Sequence, residues 1–176
     1  METGIFLHFK SRIIIQKRMK NLLITYLSIL IFTPYLFGQV VYKDYCNARF
    51  GFCVSYPSTF KGLGESDNGD GQEFISADGK SSLLVYRDVR EALYESEAEC
   101  KSQSYLSDIT PDQSKQVTYK KKGDNFYVVS GYQGSMIFYQ KTIFTEQGMM
   151  TAVFTYPTAQ KAKYDAYCAK LFETFK

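Results

Sequence analysis

The stretch QVTYKKKGDNFYVVSGYQGSMIFYQKTIFTEQGMMTAVFTY, residues 116–156, decides the fold. It holds four β-rich runs, 116–121, 125–132, 136–145 and 149–156, separated by Lys122-Gly123-Asp124, Gln133-Gly134 and Gln147-Gly148. Val, Ile, Phe, Tyr and Thr suit a pleated, half-buried surface, and Gly frees the backbone for a tight turn. Turns this short join antiparallel neighbours, so the spacing predicts a four-stranded meander.

Working outward, Pro157 ends the last strand and Thr158 is placed to cap a final helix. In that helix Tyr164, Cys168, Leu171 and Phe175 share one face, with Tyr167 and Phe172 beside it. An apolar stripe of this kind must lie on the sheet. Upstream, residues 49–56 (RFGFCVSY) alternate Phe50, Phe52, Val54 and Tyr56 with smaller or polar residues, which predicts a strand ended by Pro57. Residues 62–72 (GLGESDNGDGQ) read as loop. A hairpin follows, with 73–76 and 82–87 as strands around Ala77-Asp78-Gly79-Lys80. Residues 91 to about 105 suit a helix, although the stripe of Leu93, Tyr94, Ala98, Cys100 and Tyr105 is weak, and 108–114 reads as linker. This order predicts one α+β domain, an antiparallel sheet of about six to seven strands with helices packed on it.

The formal charge of +3 belongs to a different part of the chain. Lys17, Arg18 and Lys20 precede an uncharged apolar run at residues 22–37, the pattern of a secretory signal peptide. That run is shorter than the ~20 residues a spanning helix needs, and Pro34 interrupts its end. Residues 1–38 are therefore expected to be a cleaved leader, with an uncleaved anchor as the alternative and Met19 as a second possible start. Residues 39–176 form the expected single domain, exported to the periplasm or extracellular space without stable membrane insertion. The leader carries five of the 21 Lys and Arg and one of the 18 Asp and Glu, so the domain is left with 16 against 17. A nucleic-acid role loses its electrostatic support.

Cys46, Cys53, Cys100 and Cys168 all lie beyond the leader, and an even count in an exported domain suggests disulfides. The expected pairing is Cys46–Cys168 and Cys53–Cys100, joining the first strand region to the two helices. The chain's one histidine, His8, lies in the leader, which removes Ser-His-Asp, Cys-His and His-based metal chemistry from the domain. Carboxylate chemistry survives that exclusion, because glycosidases need only two acids. The acids here are scattered, and no catalytic residue, resident cofactor or metal is expected.

The densest polar cluster contains Asp67, Asn68 and Asp70, weak candidates for calcium ligands because a hard cation wants several oxygens from a Gly-bent loop. Its spacing fails an EF-hand, and the competing reading is a turn whose Asn and Asp side chains bond their own backbone. Lys120-Lys121-Lys122 stands at an expected hairpin tip, where lysines ordinarily serve solubility and edge protection. Of the 15 tyrosines, all but Tyr26 and Tyr35 follow the leader, and exposed ones would offer a binding surface.

The run from Asn47-Ala48-Arg49-Phe50-Gly51-Phe52-Cys53 to Tyr56-Pro57, with Asn68-Gly69-Asp70-Gly71 and Asp78-Gly79, resembles a widespread group of exported bacterial proteins similar to the PsbP-like fold. The resemblance continues through Val128-Val129-Ser130-Gly131 and Tyr156-Pro157 with the closing helix. It implies an α/β/α sandwich. The wider fold includes an extrinsic photosystem II subunit and a nuclear-import factor that binds the Ran GTPase, which resemble accessory modules rather than catalysts. The expectation is a non-enzymatic binding or accessory domain with a protein partner in the cell envelope. The alternatives are a small-ligand or calcium-binding protein using loop 67–73, then a carboxylate-based hydrolase.

Overall fold

The meander of residues 116–156 forms four strands of a seven-stranded antiparallel sheet in a computed structural model, which describes residues 40–176. The expected leader lies outside the described residues. A small hairpin, β1 (Tyr42–Cys46) and β2 (Cys53–Pro57), comes first. The main sheet follows with β3 (Lys61–Glu65), β4 (Gly71–Ile75) and β5 (Ser82–Asp88). A 3-10 turn (Val89–Leu93) and helix α1 (Glu97–Ile109) lead into β6 (Lys115–Lys122), β7 (Phe126–Gln133), β8 (Met136–Thr145) and β9 (Gly148–Pro157). A second 3-10 turn (Thr158–Gln160) opens the closing helix α2 (Lys161–Thr174). The sheet order is β3-β4-β5-β9-β8-β7-β6. Among the described residues no helix is long and apolar enough to cross a membrane.

Period-two alternation divides the core. One face of β9 presents Met150, Ala152, Phe154 and Tyr156, all buried with Tyr164, Tyr167 and Leu171 of α2, Phe175 just past its end, and Phe52 and Val54 of the small hairpin. Phe154 meets Tyr164 and Tyr167 edge-on at 5.1 and 4.7 Å between ring centroids. The opposite face carries a smaller cluster, Tyr127, Val129 and Phe138, packed with Tyr105 and Ile109 of α1.

Several local expectations give way. The strand expected over 49–56 begins only at Cys53, because Asn47 Oδ1 accepts from the backbone N–H of Arg49 and Phe50 and Gly51 takes φ +70°. That turn sets Cys46 opposite Cys53 in the β1–β2 register, with Cα atoms 4.1 Å apart, and the two are disulfide-bonded. The expected Cys46–Cys168 and Cys53–Cys100 bridges are therefore corrected. Cys100 on α1 and Cys168 on α2 are free, buried thiols on opposite sides of the sheet. Residues 62–65, the start of the expected loop, belong instead to the edge strand β3. The helix expected from 91 starts at Glu97, where Ser96 caps it by accepting from the Glu99 N–H, and it runs on to Ile109. Asp108 thus belongs to the helix and not to a linker. Thr158 caps nothing; it opens the 3-10 turn before α2.

Candidate functional site

The residues that converge on one cleft do so because of a single extra residue in β6. Gln116 pairs with Tyr132 and Val117 with Gly131, but then Tyr119 pairs with Ser130, leaving Thr118 as a bulge. Gly131 makes room for it: a Cβ there would stand 1.8 Å from the Gln116 carbonyl oxygen. The bulge reverses the alternation beyond it. Tyr119 and Lys121 turn to the α2 face, while Lys120 and Lys122 turn to the α1 face. Across the sheet, Tyr119, Ser130, Tyr139 and Phe154 then form one row, and Gln116, Tyr132, Ile137 and Tyr156 the next.

Helix α2 covers Phe154 but leaves the floor towards β6 open. A cleft of about 280 Å³ lies there, lined by Tyr119, Tyr132, Tyr139 and Tyr156 from the strands and Lys161, Asp165 and Cys168 from α2. Tyr119 is 50% exposed and Tyr132 39%, whereas Tyr156 is buried. Lys161 and Asp165 form an exposed ion pair at 2.7 Å on the rim. At the floor the Tyr156 hydroxyl lies 3.5 Å from Cys168 Sγ. Burial pushes the Cys168 thiol up to about 11, so the sulfur is a protonated thiol near neutral pH rather than a nucleophilic thiolate. Burial also raises the Tyr139 and Tyr156 hydroxyls, which therefore stay neutral donors and acceptors. The arrangement lines the cleft with aromatic faces and neutral hydroxyls.

The calcium candidates sit elsewhere, in the turn between β3 and β4. Asp70 accepts from Ser66 Oγ at 2.6 Å and from Asn68 Nδ2 at 2.8 Å. Asn47 donates to the Gly69 carbonyl at 2.9 Å, and the Asn68 carbonyl accepts from Arg49, so the turn is tied to the small hairpin. Asp67 is exposed in the same turn. Among the described residues no three His, Cys, Asp or Glu are gathered as for a metal ion. The lysine run is also divided. The Lys121 ammonium lies over the Phe172 ring at 4.7 Å and that of Lys122 over Tyr105 at 5.0 Å, on opposite faces of the sheet.

Sequence reading missed a polar network centred on Asp108. Arg90 donates two bonds to its carboxylate at 2.9 and 3.1 Å, Tyr127 donates one at 2.6 Å, and Gln140 another at 2.5 Å. Arg90 also bonds Asp88 at 2.9 Å. Burial would raise the Asp108 carboxyl, but Arg90, Tyr127 and Gln140 together hold it below the usual carboxylate range. The network binds the 3-10 turn and α1 to the sheet. The signal was present as the i, i+4, i+8 stripe Cys100, Ser104, Asp108, the three buried residues of α1. A second recess of about 230 Å³ opens at the start of α1 beside Glu91, Glu95 and Glu97. There Glu91 is already engaged, accepting from the Met149 N–H at 2.8 Å and pairing with Arg87.

No protein-family model matches the chain, and no curated protein matches it by sequence. Among solved structures the chain is similar to the solution structure of cyanobacterial PsbP from Synechocystis, with a TM-score of 0.52 at 10% identity. The match covers 80% of this chain and 94% of that one. The chain has a PsbP-like fold, an α+β sandwich with helices on both faces of a seven-stranded antiparallel sheet.

Proposed function

We propose that the chain is an exported, non-catalytic protein-binding module that holds its partner at the tyrosine cleft beside β6. The observation that carries this reading is the convergence of Tyr119, Tyr132, Tyr139 and Tyr156 from four strands, with Tyr119 brought there by a glycine-dependent bulge. Tyrosine supplies large amphipathic contact area at low conformational cost, which is why it is enriched at interaction hot spots. The cleft's size points the same way. At about 280 Å³ it stands at the bottom of the ~300–1,000 Å³ range of small-molecule sites, and it lies open at the sheet edge. Export is supported by the leader pattern of residues 1–38 and by the Cys46–Cys53 disulfide, a bond that persists in oxidising compartments such as the periplasm.

The test is crosslinking in an intact envelope fraction, with the wild type beside a Tyr119→Ala/Tyr132→Ala variant. The wild type is expected to recover one reproducible partner, and the variant to recover it about tenfold less, the scale of losing a hot spot. Equal recovery by the two proteins refutes the reading, as does a wild type that recovers nothing reproducible.

A further inference from the structure

The two edges of the main sheet are finished differently. At one edge β3 has five residues and a register shift between Gly62 and Glu65. Its hairpin is held by the small hairpin: Tyr45 donates to Glu65 at 2.9 Å and Asn47 to the Gly69 carbonyl at 2.9 Å. At the other edge β6 runs for eight residues. Among the described residues, no backbone hydrogen bond outside the β6–β7 ladder involves residues 116–122. A row of outward N–H and C=O groups of that length is a template for one more strand. It carries Lys115, Lys120, Lys121 and Lys122 and no acid.

We infer that β6 accepts an extended, acidic segment of the partner as an eighth strand, whose alternate side chains enter the tyrosine cleft. This rests on the cleft being the binding site and names the chemistry of what binds. Backbone pairing would hold the segment in place, and alternation would sort its side chains. Those on the α2 face meet Tyr119 and Lys121; those on the α1 face meet Lys120 and Lys122. Stacking of Lys121 on Phe172 and Lys122 on Tyr105 fixes both ammonium groups beside the edge without neutralising them. A segment lacking acids would crowd against Lys120, Lys121 and Lys122, none of which is in an ion pair among the described residues, so the lysines that deter indiscriminate pairing also select the acidic strand. Division of the lysines between two faces disfavours a nucleic acid, whose phosphates would track one groove.

The probe is a blocked peptide of alternating glutamate and valine around a central phenylalanine, titrated against the oxidised protein while amide hydrogen exchange is followed. Expected are new protection along β6, binding that weakens with salt, and at least about a tenfold loss of affinity in Lys120→Glu/Lys122→Glu. The same peptide with alternate backbone amides methylated should not bind. The inference is overturned if β6 gains no protection at saturating peptide, or if the methylated or lysine-for-glutamate peptide binds equally well. Preference for oligothymidylate of equal charge overturns it too. In the envelope crosslinking experiment, a partner lost by Tyr119→Ala/Tyr132→Ala but kept by Lys120→Glu/Lys122→Glu would remove strand addition and leave the cleft standing. A partner kept by both would remove the cleft itself.

Discussion

The two faces of the central sheet bury their side chains by opposite means. Under α2 the contacts are almost wholly apolar and aromatic, with Phe154 fully buried at the centre. Under α1 a short apolar patch is joined to a network in which Asp108 satisfies Arg90, Tyr127 and Gln140 at once. Apolar packing loses stability roughly in proportion to what is removed. A buried polar network behaves as a unit, because each member that loses its partner is left desolvated. The α2 face should therefore respond to volume, and the α1 face to completeness.

Phe154→Ala tests the first half and has the largest expected effect, a loss of about 3–5 kcal/mol in urea denaturation. A loss under about 1 kcal/mol would mean the aromatic face is not the core. Asp108→Ala should cost somewhat less, about 2–4 kcal/mol, since Arg90 keeps a side chain 27% exposed and water meets part of its need. The contrast sharpens when Asp108→Leu and Arg90→Met are made together. Removing both ends of the pair should recover part of that loss, whereas additivity of the two single costs would show that the network is not a unit.

The smallest expected effect concerns the cation buried on the apolar face, the one buried Lys or Arg among the described residues. Lys141 donates to the Phe172 and Phe175 carbonyls at 2.6 and 2.7 Å, closing the end of α2. Burial, and then the neighbouring Lys121, push its ammonium from the usual 10.5 down to about 8. Between those values the unfolded chain binds the proton more tightly than the folded one, so this residue's contribution to stability rises with pH. The stability difference between wild type and Lys141→Met should move in favour of the wild type from pH 8 to 10. Taking the difference removes the tyrosines, which lower stability in both proteins as they ionise on unfolding. A difference that stays flat or falls with pH would break the contrast between the two charges.

Legibility in the sequence followed the range of the forces involved. The meander and the stripe Tyr164, Cys168, Leu171, Phe175 were readable because periodicity and turn glycines are local signals. The β1–β2 turn was not, because the alternation of Phe50 and Phe52 mimics a strand while Asn47 Oδ1 captures two backbone donors. That one side-chain oxygen also decided the disulfide. Edge strand β3, rich in glycine and charge, has no apolar pattern to reveal it, since it is held by β4. The candidate cleft was visible only as an excess of tyrosine. Which tyrosines meet depends on cross-strand register, and the register depends on Thr118.

That bulge has a consequence for comparing this protein with its structural neighbours. On an edge strand the side presented to each face is a matter of odd or even count, so one inserted or deleted residue does the work of many substitutions. Were Thr118 to pair regularly with Ser130 instead of bulging, Tyr119 and Lys121 would pass to the α1 face and Lys120 and Lys122 to the α2 face without changing any of their identities. Two relatives could thus share every residue of β6 in a column-by-column alignment and still display different surfaces. Divergence among such proteins is better followed by the parity of the edge than by the identity of its residues.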